Sequence, residues 1–315
     1  MKSTLSKAVL ILTTLALNSC GNDISVDVIS KVPQATQTNP ISTPNPNTIT
    51  TTAPALPDNC GDKVTLKLAP WVKVPSVRFG FFQSFDRTQG VTSDGLGNFW
   101  FSGNTSLYRT GSNVEQNIVS LSEPFSPLLT ALGASHIGDI DWHGQNIYAS
   151  IQDGGKFQHP IVGIYDAASL TLKNSYFLPM AWQPDGVPWI AVDHAKKEIL
   201  SSKFSDVQMI NVYDLSSMGQ LRQIKISTTL SGIQGGKVSG NYLYVTANDI
   251  GRTGFALFYI NLQTGAVFKA FQFPDDVREI EGLVLTSSSS GCDLYVLAQT
   301  GSYLSIRMEL YNYKK

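Results

Sequence analysis

Basic runs are missing from this chain of 315 residues. Its 23 Lys and Arg are matched by 24 Asp and Glu, and charged residues make up only 15%. Without a cationic stripe there is no electrostatic footprint for nucleic acid, and that partner class is set aside. No G-x-x-x-x-G-K-[ST] loop and no G-x-S-x-G elbow occurs. A phosphate cradle and the serine-hydrolase elbow are thereby excluded. The four histidines, His136, His143, His159 and His194, lack H-x-x-x-H spacing, so the sequence sets up no metal-ligand pair. Apolar runs are short. Ala8 to Leu17 is mostly apolar but too brief to cross a bilayer as a helix. Cysteine is scarce, with three residues at 20, 60 and 292.

What is present is a repeat. Val91, Ile140, Ala191, Gly236 and Leu283 stand 49, 51, 45 and 47 residues apart, each in a short apolar segment. A second segment follows each at Trp100, Tyr148, Leu200, Tyr244 and Tyr295, and a third ends at Tyr108, Tyr165, Tyr213, Tyr259 and Tyr311. Asp166 and Asp214 then open polar turns. Fourth strands fit Leu172–Phe177, Leu221–Ile226 and Val267–Phe273. Strand repeats of this length predict an all-β fold, a β-propeller of five blades. A sixth blade, hidden in Trp71–Phe85, is the alternative, and a β-sandwich whose regular spacing is accidental is the rival architecture.

The last module runs out after Tyr311, too early for a fourth strand. The alternating segment Val64–Ala69 is expected to complete it and close the ring, removing an open sheet edge. Cys60 precedes that segment, and Cys292 begins the second strand of the last module. A Cys60–Cys292 disulfide would staple the closure, contributing roughly 4–5 kcal/mol by loop entropy. Two unrelated thiols are the alternative.

The N-terminal residues read as an export signal. Lys2 and Lys7 precede the apolar run, and Leu17-Asn18-Ser19-Cys20 resembles the bacterial lipobox. That resemblance implies removal of residues 1–19 and lipidation of Cys20, hence a membrane partner through acyl chains and a place in the cell envelope. Gly21 in place of Asp favours the outer membrane where the source has one. An ordinary secretory signal is the alternative. Residues 20–58 are rich in Pro, Thr, Asn and Ser and read as a tether, leaving 59–315 as the propeller domain, a monomer.

In a propeller, inner strands begin and second strands end at one face, where loops converge on the channel. Gln89, Asp139, Gln234 and Glu281 lie before or at inner-strand starts; Asn104, Asp153, Lys203, Asn248, Arg252 and Gln299 lie after second strands. These are the candidate binding residues, together with Asp141, which shares a strand face with Asp139 as Glu279 does with Glu281. Carboxylates so placed suit Ca²⁺, a shared proton, or ion pairs. Trp182 and Trp189 flank the turn Pro184-Asp185-Gly186 and read as blade packing, or as a sugar platform.

Gln89-Gly90-Val91 with Ser106-Leu107-Tyr108-Arg109, and Gly138-Asp139-Ile140-Asp141-Trp142 with Ile147-Tyr148-Ala149-Ser150, resemble two blades of the plant and bacterial glutamine cyclotransferases. The resemblance implies a five-bladed enzyme that cyclises N-terminal glutamine, with Asp139 as its acid. Asp139 and Asp141 stand where that family carries the longer Glu. The expectation carried forward is an anchored propeller binding a small molecule, peptide or glycan at its channel mouth. An enzyme of cyclotransferase or hydrolase type and an envelope scaffold are the alternatives.

Overall fold

The computed structural model describes residues 71–251, 253–288, 291–301 and 307–314. The chain enters through strand β1 (Val72–Arg78) and the short helix α1 (Phe81–Asp86). Blade one follows as β2 (Gly90–Ser93), β3 (Phe99–Gly103), β4 (Ser106–Thr110) and β5 (Asn117–Leu121). Helix α2 (Pro127–Ala131) leads to blade two, β6 (His136–His143), β7 (Asn146–Gln152), β8 (Ile161–Asp166) and β9 (Leu172–Phe177). Blade three is β10 (Ala191–Asp193), β11 (Glu198–Ser201), β12 (Val207–Asp214) and β13 (Gln220–Leu230). Blade four is β14 (Gly235–Ser239), β15 (Tyr242–Asn248), β16 (Phe255–Asn261) and β17 (Val267–Gln272). The last blade is β18 (Val277–Ser288), β19 (Gly291–Thr300) and β20 (Arg307–Lys314), with β1 as its outermost strand. Each sheet is a four-stranded antiparallel meander. Inner strands touch in a cycle: β2 with β6, β6 with β10, β10 with β14, β14 with β18, and β18 with β2. The protein is a five-bladed β-propeller.

The repeat places the blades correctly, and one strand of the closure differs. The outer strand of the last blade is Val72–Arg78, paired with β20 from Val72–Lys314 to Arg78–Glu309. Val64–Ala69, assigned that place from sequence, lies outside the described residues. Trp71–Phe85 supplies β1 and α1 rather than a sixth blade. Its β1 stretch carries no clean alternation: Pro75 interrupts it, and the register slips between Val74 and Val77. Proline is tolerated there because an outermost strand has one free edge.

Side chains alternate across each strand, so adjacent residues serve different neighbours. Ile147 joins the cluster between blades one and two, whereas Tyr148 joins the one between blades two and three. Five such clusters fill the five blade interfaces. Inner strands are therefore buried on both faces, as in β2 and β10, while β5 and β9 are largely open to solvent. The third-to-fourth strand turns share one device. Asp166 Oδ1 accepts from the amides of Ala168 and Ser169, Asp214 Oδ1 from Ser216 and Ser217, and Asn261 Oδ1 from Gln263 and Thr264. These bonds, with the Ser hydroxyls, hold the Asp214 carboxyl down at about 2.

Candidate functional site

The centre of the ring is filled, and glycine is what lets it fill. At Gly282 a Cβ would stand 2.5 Å from Asp139 Oδ1 and 2.6 Å from Val91 N. Only a residue without a side chain allows three inner strands to meet so closely.

Below that contact lies a buried ion pair. Lys237 Nζ on β14 donates to Asp141 Oδ1 on β6, and to Thr92 Oγ1 on β2 at 3.2 Å. Thr92 donates to the same carboxylate oxygen at 2.9 Å, as does Trp142 N at 2.8 Å. The other oxygen of Asp141 accepts from Val192 N on β10 at 2.8 Å. Four of the five inner strands are tied through this one carboxylate. Both of its oxygens are engaged, and the structure places it in the ring centre rather than at the mouth.

One turn nearer the mouth sit Asp139 and Glu281, both essentially inaccessible. Asp139 Oδ2 accepts from Gly236 N at 3.0 Å, while its Oδ1 has no hydrogen-bond donor. Burial pushes the Asp139 carboxyl well above the usual range. Burial, then Glu279 and Asp139, do the same to Glu281. Such carboxyls keep their protons because an unpaired buried charge is costly. The folded state binds more protons at this pair than the unfolded chain, so the pair makes stability fall as pH rises above about 4. Asp139→Asn keeps an acceptor for Gly236 N and removes one titrating group. We expect the variant to fold and to lose less stability than wild type between pH 5 and pH 8. Melting temperatures across that interval check it, and an unchanged slope would assign the pH dependence elsewhere.

The mouth itself is a cavity of about 420 Å³. Inner-strand starts supply Gln89, His136, Pro188 and Gln234. The loops after the second strands of blades two and three add Gln152, Phe157, Phe204 and Ser205, and the 184–186 turn adds Asp185. Its base is sealed by main-chain and amide bonds. Gly282 N donates to Gln89 O at 2.9 Å, Asp139 N to Pro188 O at 3.4 Å, and Gln234 Nε2 to Ile280 O at 3.3 Å and Glu279 Oε1 at 3.1 Å. Burial lowers the His136 pKa, so this ring is neutral at pH 7.

Two of the residues singled out in the sequence, Gln89 and Gln234, line the cavity. Asp153 is buried behind it and holds the loop that carries Phe157: its Oδ2 accepts from Gln158 N and meets His159 Nδ1, both at 3.0 Å. Asn104 and Asn248 are exposed, and Lys203 and Gln299 half-buried; none of the four lines the cavity. Arg252 lies outside the described residues, as do Cys20 and Cys60. Neither tryptophan lines the cavity, and Trp189 offers no sugar platform. Trp189 is fully buried with Nε1 donating to Ser202 Oγ at 3.0 Å, and Trp182 packs on Tyr213. The rings in the cavity wall are the half-buried Phe157 and the exposed Phe204. An aromatic in the same loop of two successive blades, Gly154-Gly155-Lys156-Phe157 and Ser202-Lys203-Phe204, is the signal that would have found them.

A second cavity, about 410 Å³, opens at the other end between blades one and two. Its Arg109 donates to Asn98 Oδ1 and Ala168 O, and its Asp94 and Asp166 serve turn amides, so its charged groups are spent on loop structure. Among the described residues no group of three or more His, Cys, Asp or Glu could hold a metal ion.

No family model matches the chain, and no curated protein matches it. Among solved structures it is similar to Kuenenia stuttgartiensis hydrazine synthase, with 12% identity and a TM-score of 0.42, over 69% of this chain and 56% of that one. It is also similar to the tail fibre of Staphylococcus aureus phage P68, with 12% identity and a TM-score of 0.48, over 77% of this chain and 52% of that one. The chain spans about half the length of these structures.

Proposed function

We propose that this propeller is an exported, lipid-anchored protein that binds an uncharged polar ligand, whether small molecule, peptide or glycan, at its mouth. The mouth cavity carries the reading. Three glutamine amides and two phenylalanine rings line it, and no Lys or Arg among the described residues does. Its volume falls in the ordinary range for ligand sites, about 300–1,000 Å³. Asp139 lies beneath the cavity and not in its wall, which supports binding over acid–base catalysis of the cyclotransferase kind. Replacing Gln89 and Gln234 together by Ala should weaken ligand capture at least tenfold and leave the melting temperature within a few degrees. Calorimetry with a ligand found by screening measures both, and unaltered affinity would move the site away from the mouth.

Anchoring and closure belong to the same proposal. The chain enters β1 beside Lys314, which also pairs with Asp293, the neighbour of buried Cys292. Val72 therefore stands two strands from Asp293, roughly 10 Å at ordinary strand spacing. That supports a bridge to Cys60. We expect Cys20→Ser to shift the protein from the membrane to the soluble fraction, and the unfolded, unreduced variant to show no free thiol. Membrane retention would sink the anchor, and two titratable thiols the staple.

A further inference from the structure

We propose that the mouth cavity takes an uncharged saccharide, held with its C–H faces on Phe157 and Phe204 and its hydroxyls on the glutamine amides. The inference rests on the mouth being the binding site and names the ligand class.

The chemistry of the lining is unusually one-sided. Gln89 and Gln152 offer both donors and acceptors, and Gln234, whose Nε2 is held by Ile280 O and Glu279 Oε1, offers its Oε1; a hydroxyl, which gives and takes a hydrogen bond, suits such a set. Phe157 and Phe204 have no polar atom to contribute, so their rings can only serve an apolar surface. A pyranose presents both kinds of surface side by side, hydroxyl edges around C–H faces. A peptide would bring an ammonium, a carboxylate or apolar side chains. For an anion the wall has no Lys or Arg among the described residues, and its His136 is neutral. For a cation it has Asp185 alone.

The wall is also built in advance. Phe157 has φ +51°, a left-handed conformation that a bulky residue adopts only under constraint. The constraint is visible. Asp153 grips the amide of Gln158 and the ring of His159, fixing the backbone on the far side of Phe157. On the near side, Gly186 has φ +78°, and a Cβ there would lie 3.0 Å from Phe157 Cδ1 and 3.2 Å from Gln152 Nε2. The turn at 184–186 thus presses directly on one ring and one amide of the site, across two blades. Strain held at a cavity wall, with its support in the next shell, fits a surface pre-set for a rigid ligand.

The test uses the full chain carrying Cys20→Ser, so that it can be kept free of detergent. Saturation-transfer NMR is run with glucose, galactose, mannose, N-acetylglucosamine and disaccharides of each, and in parallel with short peptides beginning in Gln. At least one uncharged saccharide should show transfer strongest at its ring C–H protons. Phe157→Ala, Phe204→Ala and Gln152→Ala should each lower its affinity tenfold or more, with melting curves confirming that the variants fold. Gly186→Ala, which crowds the same ring and amide without removing either, should weaken it as well. Peptide binding that these variants abolish, with no saccharide signal, overturns the ligand class and leaves the mouth reading standing. Saccharide binding that none of the variants alters overturns the mouth reading itself. No transfer to any sugar overturns the proposal.

Discussion

Lys237→Ala should destabilise the protein by about 3–5 kcal/mol, the cost of leaving a buried charge without its partner. Asp141 would remain among Thr92, Trp142 N and Val192 N, fully enclosed and uncompensated. For a domain of this size that corresponds to a fall in melting temperature of roughly 10 °C or more. Adding Asp141→Asn should recover part of it. Full recovery is not expected, because two main-chain amides and a hydroxyl depend on that side chain, and weakened acceptors there cost stability too. Thermal melts at pH 8 for the single and double variants decide the matter. A Lys237→Ala protein as stable as wild type at pH 8 would mean that the centre of the ring is wetter than the structure shows.

Trp189→Ala should cost about 3–5 kcal/mol by a different route, the loss of a large buried ring and the cavity left behind. Trp189 is fully buried in the interface between blades three and four, and a Cβ on Gly236 would fall 2.4 Å from its Cε3. The ring lies flush against the Cα of an inner-strand glycine, so the void cannot be refilled by small shifts of side chains alone. Ser202 would also lose its indole donor. Gly236→Ala probes the same contact from the opposite side by overpacking, typically 1–3 kcal/mol. Chemical denaturation of both variants measures the effects. Unaltered midpoints would show that this interface tolerates repacking.

The architecture was legible because each blade repeats one physical demand. A strand buried on both faces needs small or apolar side chains, with any polar one hydrogen-bonded or neutral, and a strand at the rim does not. Segments around Val91, Ile140, Ala191, Gly236 and Leu283 meet the first condition, and all five became inner strands. The fourth strand Leu172–Phe177 was bounded correctly because Asp166 and the Thr171 turn fix where it starts. The closing strand was not, because Pro75 and the slipped register erase the alternation that marks a strand. The site was half legible. Gln89 and Gln234 follow from counting to the start of an inner strand. Asp139 and Asp141 obey the same count, yet the close approach at Gly282 takes them below the cavity base. Sequence spacing locates a residue along a strand and says nothing about how tightly five strands converge. Phe157 and Phe204 were missed because a lone aromatic in a polar loop has no period to reveal it.

The placement of β1 outermost in the last blade has a mechanical consequence. It is bonded along one edge only, to β20, and the chain reaches it at the Val72–Lys314 end. With the proposed Cys60–Cys292 bridge reduced, tension arriving at Trp71 loads that first pair and not the whole strand at once. Bonds so loaded part in succession, as in a zipper, and yield at lower force than a strand pulled in shear. Trp71 packs on the cluster between the last two blades at the start of the path, Lys73 lies over the Tyr311 ring next, and the Arg78–Glu309 pair at 2.7 Å stands at the end of β1. Without the bridge, a pull at Trp71 would peel one strand from one blade while the inner strands, and the cavity they support, stay under no load until that strand is gone; with it, the pull passes to Cys292 on β19 and β1 is spared.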